Sequence, residues 1–193
     1  MIEAIVFDLG GVFVREEDLS LGDPLEDRIG KRISEIKPFV NDLYKEVVTG
    51  NRTLLEYYEN ILKRLKIGYV NPEEILSSHL ERHREVLRHW DRDLSDLVKK
   101  LKKQGYLVAC STNTEIEIAQ ETERQGFLDL FDKKYISTEM RLKKPDKEYF
   151  SYMINDLRLE SSRILFIDDR EENVLAAKQL GIYAKATNNE HDS

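Results

Sequence analysis

The order of apolar and polar positions divides the chain into short apolar runs and longer amphipathic stretches. Four runs, at residues 4–7, 106–110, 163–167 and 182–186, are continuous enough to be buried parallel strands. Two stretches between them keep helical spacing and stop at Gly105 and Gly181, which are suited to helix C-termini. This alternation predicts an α/β fold with a doubly wound parallel sheet.

About a hundred residues separate the first run from the second, whereas a simple βαβ unit takes about 30. The region between them has only helical patterns. One apolar stripe leads to Gly68, and Asn71 and Pro72 then begin another helix, with Glu74 at the reciprocal capping position. We therefore expect a core domain of residues 1–14 and 93–193, with a small all-helical cap at 15–92 inserted after the first strand.

Composition narrows the classes of partner. The 193 residues are 40% hydrophobic, which suits one domain or one domain with an insertion. A net charge of −7, with charges of both signs interspersed, argues against a nucleic acid partner. Cys110 is the only cysteine, so neither an intramolecular disulfide nor a paired-cysteine zinc site is possible. No run approaches the roughly 20 apolar residues of a membrane span. We expect a cytoplasmic protein without a membrane partner; the sequence does not indicate an oligomeric state.

Polar side chains follow the ends of several predicted strands, at the edge where open α/β sheets bind ligands. They are Asp8, the pair Thr112 and Asn113, Lys144 before Pro145, and the pair Asp168 and Asp169. Taken singly, most would be a turn carboxylate, a helix cap or a helix start. The acidic pair is less ordinary, because adjacent carboxylates repel unless a cation or hydrogen bonds compensate. Together they supply a nucleophile, a cation and metal ligands for phosphoryl transfer.

Four segments carry a family resemblance over nearly the whole chain: FDLGGV, STNT, KKPDKEYF and FIDDREENVLAAKQLG. In this order and separation they resemble the motifs of the haloacid dehalogenase superfamily, in particular its magnesium-dependent phosphatases with a helical cap after the first motif. The subgroup it resembles most is the N-terminal phosphatase domain of soluble epoxide hydrolases, where DxG can replace DxD. The DDxxxN pattern of the last segment is the most specific element.

The resemblance implies a phosphatase of small phosphomonoesters that uses Mg²⁺. Asp8 would be the nucleophile that forms an aspartyl-phosphate. The metal would take the other oxygen of Asp8, the backbone carbonyl of Gly10 and the carboxylate of Asp169. Asp168 would support the metal directly or through water.

The remaining motif residues would serve the phosphate. Thr112 and Asn113 would donate hydrogen bonds to it, and Lys144 would neutralise the nucleophile and the transferring group. Lys144 is preferred over Lys143 because the family's lysine directly precedes proline. Asn173 would orient Asp169 or the lysine.

Gly10 departs from the pattern, because most phosphatases of this superfamily have a second aspartate there as general acid and base. Losing such a group costs about a hundred- to ten-thousand-fold in rate. A surrogate acid could come from the following residues: Glu16, Glu17, Asp18, His79 and His83. The two histidines, spaced i, i+4, could in principle bind zinc, but His83 lies in an apolar stripe, which favours packing.

Three alternatives compete with the phosphatase. A protein of this fold that has lost turnover could use its pocket only to bind a phosphorylated ligand or partner. A metal-independent dehalogenase also lacks the second aspartate, but it has no use for Asp168 and Asp169. Receiver domains combine similar residues, but in a different chain order and without a cap.

Overall fold

A computed structural model describes residues 1–14 and 24–187 of the chain. Within them, five strands form one parallel sheet in the order β3-β2-β1-β4-β5. The strands are β1 (Ala4–Phe7), β2 (Leu107–Thr112), β3 (Lys133–Ile136), β4 (Ile164–Asp168) and β5 (Tyr183–Ala186). The predicted parallel α/β sheet is confirmed, and β3 is an additional edge strand that the apolar runs did not reveal.

Helices occupy the connections between the strands. Between β1 and β2 lie α1 (Pro24–Ile29), α2 (Ile33–Val48), α3 (Leu54–Arg64), α4 (Pro72–Leu87) and α5 (Arg92–Lys103). The later connections contain α6 (Ile116–Arg124), α7 (Ser137–Met140), α8 (Lys147–Leu157) and α9 (Glu171–Gln179). Among the described residues, no helix combines the length and the apolar character needed to cross a bilayer.

Both faces of the sheet are covered. Ile5 and Phe7 of β1 pack in a cluster that includes Val98 of α5. Ala4 and Val6, which point the other way, pack in a second cluster with side chains of α8 and α9. Continuous apolar strands are therefore required, because each residue of β1 is buried on one face or the other.

The helices between β1 and β2 have a hydrophobic cluster of their own. It contains Leu25 of α1, Val47 of α2, Ile61 of α3 and Ile75 of α4, and it reaches the sheet domain through Ile118 of α6. This part of the chain is helical, as the sequence predicts. The cap limits at 15–92 stay a prediction, and residues 15–23 lie outside the described ranges.

Helix ends follow the sequence in some places and differ in others. Gly105 and Gly181 follow α5 and α9 with φ of 91° and 82°, a conformation that favours glycine. α3, however, ends at Arg64 rather than running to Gly68, and Lys66 adopts a left-handed conformation with φ of 56°.

The start of α4 also differs in one detail from the predicted capping box. The side chain of Asn71 accepts a hydrogen bond from the N–H of Glu73 at 3.0 Å, and Pro72 is the first helical residue. Glu74 does not complete a capping box; its carboxylate forms an ion pair of 2.8 Å with Arg28 of α1. Glu74 therefore links α4 to α1 instead of capping the N-terminus of α4.

Candidate active site

Asp8 lies at the carboxyl edge of the sheet, directly after β1. Its N–H donates to the carbonyl of Ile167 in β4 at 2.8 Å, which extends the strand pairing by one residue. The side chain is 10% exposed, and its Oδ1 accepts from the N–H of Leu9 at 2.7 Å. Burial raises the pKa of Asp8 to about 7, with Lys144 opposing this shift and Asp168 adding to it. A buried carboxylate whose charge is poorly compensated calls for a nearby cation.

Lys144 supplies part of that positive charge. Its Nζ lies 3.0 Å from Asp8 Oδ1 and 2.7 Å from Asp168 Oδ2, and it donates to the carbonyl of Ser111 at 3.1 Å. Burial acts to lower the pKa of Lys144, but Asp8 and Asp168 outweigh it and raise the pKa above its ordinary value. The ammonium group therefore stays charged between the two carboxylates.

Asn113 fixes the backbone that carries this lysine. Its Nδ2 donates to the carbonyl of Lys144 at 2.8 Å, and its Oδ1 accepts from the N–H of Lys144 at 2.9 Å. One N–H of the amide stays available for a ligand. The Nζ of neighbouring Lys143 lies 3.9 Å from Asp146 instead, so Lys144 is the one of the two lysines that contacts Asp8. Thr112, the last residue of β2, is buried at the same edge.

Asp168 is fully buried and accepts from three donors. Its Oδ2 contacts Lys144, while its Oδ1 accepts from the N–H of Arg170 at 2.9 Å and from Nδ2 of Asn173 at 2.8 Å. The partner of Asn173 is thus Asp168, whereas the sequence predicts Asp169 or the lysine; Asn173 reaches the lysine through Asp168. These contacts suit Asp168 to positioning Lys144.

Asp169, in contrast, lies against a glycine that the sequence analysis did not single out. Gly11 has φ of 70°, and a β-carbon built there would lie 2.2 Å from Oδ2 of Asp169. A glycine is therefore needed on two grounds, namely its backbone conformation and the close approach of the carboxylate. The sequence signal was the second glycine of the Gly-Gly turn after Asp8.

Three carboxylates converge at this edge. Ligand oxygens of Asp8, Asp168 and Asp169 lie within 4.8 Å of one another, and no second cluster of this kind occurs among the described residues. Burial and the proximity of Asp168 raise the pKa of Asp169. One lysine cannot balance three carboxylates, and hard oxygen ligands with excess negative charge fit a divalent cation such as Mg²⁺.

The two histidines considered as acids are engaged elsewhere. Nε2 of His83 lies 2.7 Å from the hydroxyl of Thr122, which itself donates to the carbonyl of Ile118, so the imidazole must carry its proton on Nε2. Burial and His79 lower the pKa of His83 to about 4, which leaves the ring neutral at pH 7. Nδ1 of His79 lies 2.6 Å from the hydroxyl of Tyr58. The other three candidates, Glu16, Glu17 and Asp18, lie outside the described residues.

A cavity of about 840 Å³ adjoins the site. At one end it is lined by Leu9 and Gly10 of the loop after β1 and by Thr112 and Asn113 at the end of β2. Helices α1, α2, α3 and α4 and the neighbouring α6 line most of the rest. A group attached to a phosphate near Asp8 would therefore extend into the space beneath the inserted helices.

Some curated relatives match this chain over most of their own length, and others match it over only a part. A D-ribitol-5-phosphate phosphatase of Bacteroides thetaiotaomicron is 26% identical over 192 residues, which cover 94% of this chain and 89% of that protein. A sesquiterpene phosphatase of Aspergillus oryzae is 31% identical over 93 residues, 48% of this chain and 47% of the relative. The chain spans 33% of a drimenol cyclase of Aspergillus calidoustus, so it covers less than half of these last two proteins.

Solved structures show the same fold. A haloacid dehalogenase family enzyme of Bacteroides thetaiotaomicron, crystallised with magnesium and inorganic phosphate, has a TM-score of 0.75 at 24% identity and covers 100% of this chain and 97% of its own. The sequence model of haloacid dehalogenase-like hydrolases matches residues 2–181. The matched residues include the parallel sheet that brings the motif residues to one edge. The chain therefore belongs to the haloacid dehalogenase-like hydrolase family.

Proposed function

We propose that this protein is a Mg²⁺-dependent phosphatase that hydrolyses a small phosphomonoester through an aspartyl-phosphate on Asp8. The observation that carries the proposal is the convergence of Asp8, Asp168 and Asp169, with the buried ammonium of Lys144 between the first two. A nucleophile, a fixed cation and a carboxylate metal site are the parts that phosphoryl transfer requires. Phosphatases among the relatives, acting by name on ribitol 5-phosphate, carbohydrate phosphates or a sesquiterpene, support the same reaction class.

In the first step, a carboxylate oxygen of Asp8 attacks phosphorus and the bond from phosphorus to the ester oxygen breaks. The alcohol leaves with a proton taken from water, since Gly10 provides no acid. Lys144 holds positive charge beside the attacking carboxylate, and Asn113 keeps the lysine in place. Water then hydrolyses the aspartyl-phosphate, which releases inorganic phosphate and restores Asp8.

Asp8, Asp169 and the carbonyl of Gly10 would hold the magnesium ion. Bound there, the ion would supply positive charge to the phosphoryl oxygens. The oxygens of Asp168 accept from three donors, one of which is the ammonium of Lys144. We therefore assign Asp168 to positioning Lys144, with Asn173 behind it. Thr112 and the remaining N–H of Asn113 are assigned to the phosphate.

A pocket that binds without turnover is the second candidate, and Gly10 is the observation that favours it. The loss of a general acid and base would leave the charged site intact while slowing the release of an alcohol. A dehalogenase is disfavoured, because cleavage of a carbon–halogen bond on an aspartate does not need the carboxylate cluster at Asp169.

The test is hydrolysis of p-nitrophenyl phosphate and of acetyl phosphate with and without Mg²⁺. We expect Mg²⁺-dependent release of phosphate. Asp8→Asn should fold and lose activity by several orders of magnitude, since an amide neither attacks phosphorus nor binds Mg²⁺ well. Asp169→Asn should raise the Mg²⁺ concentration needed for half-maximal rate.

Asp96→Asn is the matched control, because Asp96 is an exposed carboxylate of α5 whose partner is Lys99. It should retain the wild-type rate and the wild-type Mg²⁺ titration. Wild-type turnover by Asp8→Asn would exclude Asp8 as the nucleophile. An unchanged Mg²⁺ titration in Asp169→Asn would place the metal elsewhere.

A further inference from the structure

The cavity beside the site is lined mainly by apolar side chains. They come from α2, α3, α4, α6 and the segment after α6, and include Val40, Leu54, Val86, Leu87, Ile118 and Leu128. Such a surface favours an organic group that gains free energy by leaving water. A strongly hydrated group would lose its water and find few partners in return.

Charge in the cavity disfavours a second anion. Its described lining contains two carboxylates, Glu26 and Glu115. The one cationic side chain in that described lining, Arg82, contacts the carboxylate of Asp27. At the phosphate end, Lys144 is already held between two carboxylates. An anionic group in the cavity would therefore lie near these carboxylates, while Arg82 and Lys144 already contact carboxylates of the chain.

Several polar groups of the lining, away from the phosphate end, satisfy one another. The hydroxyl of Tyr44 donates to Glu115 at 2.8 Å, and the hydroxyl of Tyr58 lies 2.6 Å from Nδ1 of His79. A polyol with many hydroxyl groups would have to break these pairs or leave its own hydroxyls without partners. Buried polar groups without partners cost more than the hydrogen bonds that they replace.

We propose that this cavity binds the organic group of a phosphomonoester when that group is uncharged and mainly apolar. The inference rests on the proposed function, because the phosphate would sit at the Asp8 site. Nucleotides, phosphorylated carboxylic acids and sugar phosphates are poor substrates on this account, since they carry a second anion or several hydroxyls.

The first experiment compares three phosphate esters of primary alcohols, so that the leaving oxygens are chemically similar: hexyl phosphate, glucose 6-phosphate and 3-phosphoglycerate. With Mg²⁺, we expect kcat/KM for hexyl phosphate to exceed that for glucose 6-phosphate by at least about ten-fold, and 3-phosphoglycerate to be the slowest. A preference for glucose 6-phosphate or 3-phosphoglycerate over hexyl phosphate would overturn the proposal.

The second experiment changes the charge of the cavity. Asn41 lies in α2, is exposed and lines the cavity, so Asn41→Lys adds a cation without disturbing the hydrophobic cluster. We expect the ratio of kcat/KM for 3-phosphoglycerate to kcat/KM for hexyl phosphate to rise about five-fold. Asn155→Lys, at an exposed position of α8 outside the cavity, makes the same change in net charge and should leave this ratio as in wild type. Equal gains in both variants would contradict a local effect.

Acetyl phosphate separates this proposal from the proposed function, because its small organic group does not fill the cavity. Turnover of acetyl phosphate without a preference for hexyl phosphate would overturn the substrate class alone. If none of the phosphate esters is hydrolysed, the proposed phosphatase activity is wrong. Calorimetric measurements of binding then test which organic group the cavity prefers. Tighter binding of hexyl phosphate than of glucose 6-phosphate would support the proposal, and equal or weaker binding would refute it.

Discussion

At the scale of single residues, Gly11 and Asp169 share a space that one β-carbon would fill. Gly11→Ala would introduce a strained backbone with φ of 70° and push the β-carbon into a carboxylate 2.2 Å away. We expect Asp169 to move, and the Mg²⁺ concentration for half-maximal activity to rise at least about ten-fold, as for loss of a ligand-supporting contact. A Mg²⁺ titration of the phosphatase rate measures this.

Gly30→Ala is the matched control for that prediction. Gly30 also has positive φ, 65°, but nothing lies within 4 Å of its added β-carbon. It should lose about 1 kcal/mol of stability from backbone strain and keep the wild-type Mg²⁺ titration. If both variants titrate alike, the contact with Asp169 has no part in holding the metal.

Substitutions at Gly10 test whether a general acid is the only group that the site lacks. Gly10→Asp should raise turnover of alkyl phosphates by about ten-fold or more, because their leaving oxygen needs a proton. The gain should be smaller for p-nitrophenyl phosphate, which leaves readily as an anion. Gly10→Asn, of the same shape but unable to donate an acidic proton, should give no gain. A folded Gly10→Asp protein that is no faster on either substrate would favour a surrogate acid or a binding-only pocket.

The sequence located the charged site but not its internal partners. Asp8 and the acidic pair could be predicted because each follows an apolar run at an edge that parallel strands share. Lys144 could be predicted because it directly precedes proline in a segment that resembles a family motif. The hydrogen-bond partner of Asn173 could not be predicted. Helical spacing brings Asn173 near both Asp168 and Asp169, and it does not indicate which of the two carboxylates points inward. The requirement for Gly11 depends on a distance between two loops, which a single sequence does not contain.

At the scale of elements, the contact between α4 and α6 predicts a dependence of stability on pH. Burial holds the pKa of His83 in the folded protein at about 4, below its ordinary value of 6.5. Between these values the unfolded chain binds a proton that the folded protein does not, so the stability is present above pH 6.5 and falls as the pH drops toward 4. The loss attributable to this partly exposed ring is on the order of 2 kcal/mol.

His83→Gln should remove this share of the pH dependence. Its amide can still donate to the hydroxyl of Thr122, but it does not titrate. Urea unfolding at pH 7 and pH 4.5 gives the difference in free energy of unfolding for each variant, and carboxylate contributions are common to all of them. The same pH difference in His83→Gln and wild type would contradict the buried neutral ring.

Elements with a clear apolar pattern could be predicted from the sequence, and β3 could not. This strand reads KKYI, and only its last two residues are buried. Its lysines pair with Asp156 of α8 and Glu123 of α6, at 2.6 and 2.7 Å. An edge strand needs little apolar sequence, because one side of it has no neighbouring strand and charged residues there discourage further pairing.

At the scale of the whole molecule, α6 receives the inserted helices and also follows the loop of Thr112 and Asn113. Among the described residues, hydrogen bonds between this region and the inserted helices join Glu115, which directly precedes α6, to Tyr44, Glu117 to the N–H of Leu54, Glu121 to Arg84, and Thr122 to His83. The length of the first connection predicted an insertion. Which core helix holds it could not be predicted, because these acidic residues look like an ordinary solvated helix face in the sequence.

Of these hydrogen bonds, those of Glu121 should cost the most stability when they are removed. Its side chain is 2% exposed and accepts from Arg84 at 3.0 Å and from Gln125 at 2.9 Å, with Arg124 as a further partner. Glu121→Gln keeps the size but loses the charge that these donors face, so we expect the free energy of unfolding to fall by about 1–3 kcal/mol. Glu123→Gln, on the same helix, removes an exposed ion pair with Lys134 and should cost no more than about 1 kcal/mol. Urea denaturation of both variants at pH 7 gives the comparison.

We expect a larger loss of stability in Glu121→Gln than in Glu123→Gln, together with earlier proteolytic cleavage between α1 and α4. Equal losses in the two variants would mean that Glu121 does not hold the inserted helices on the core.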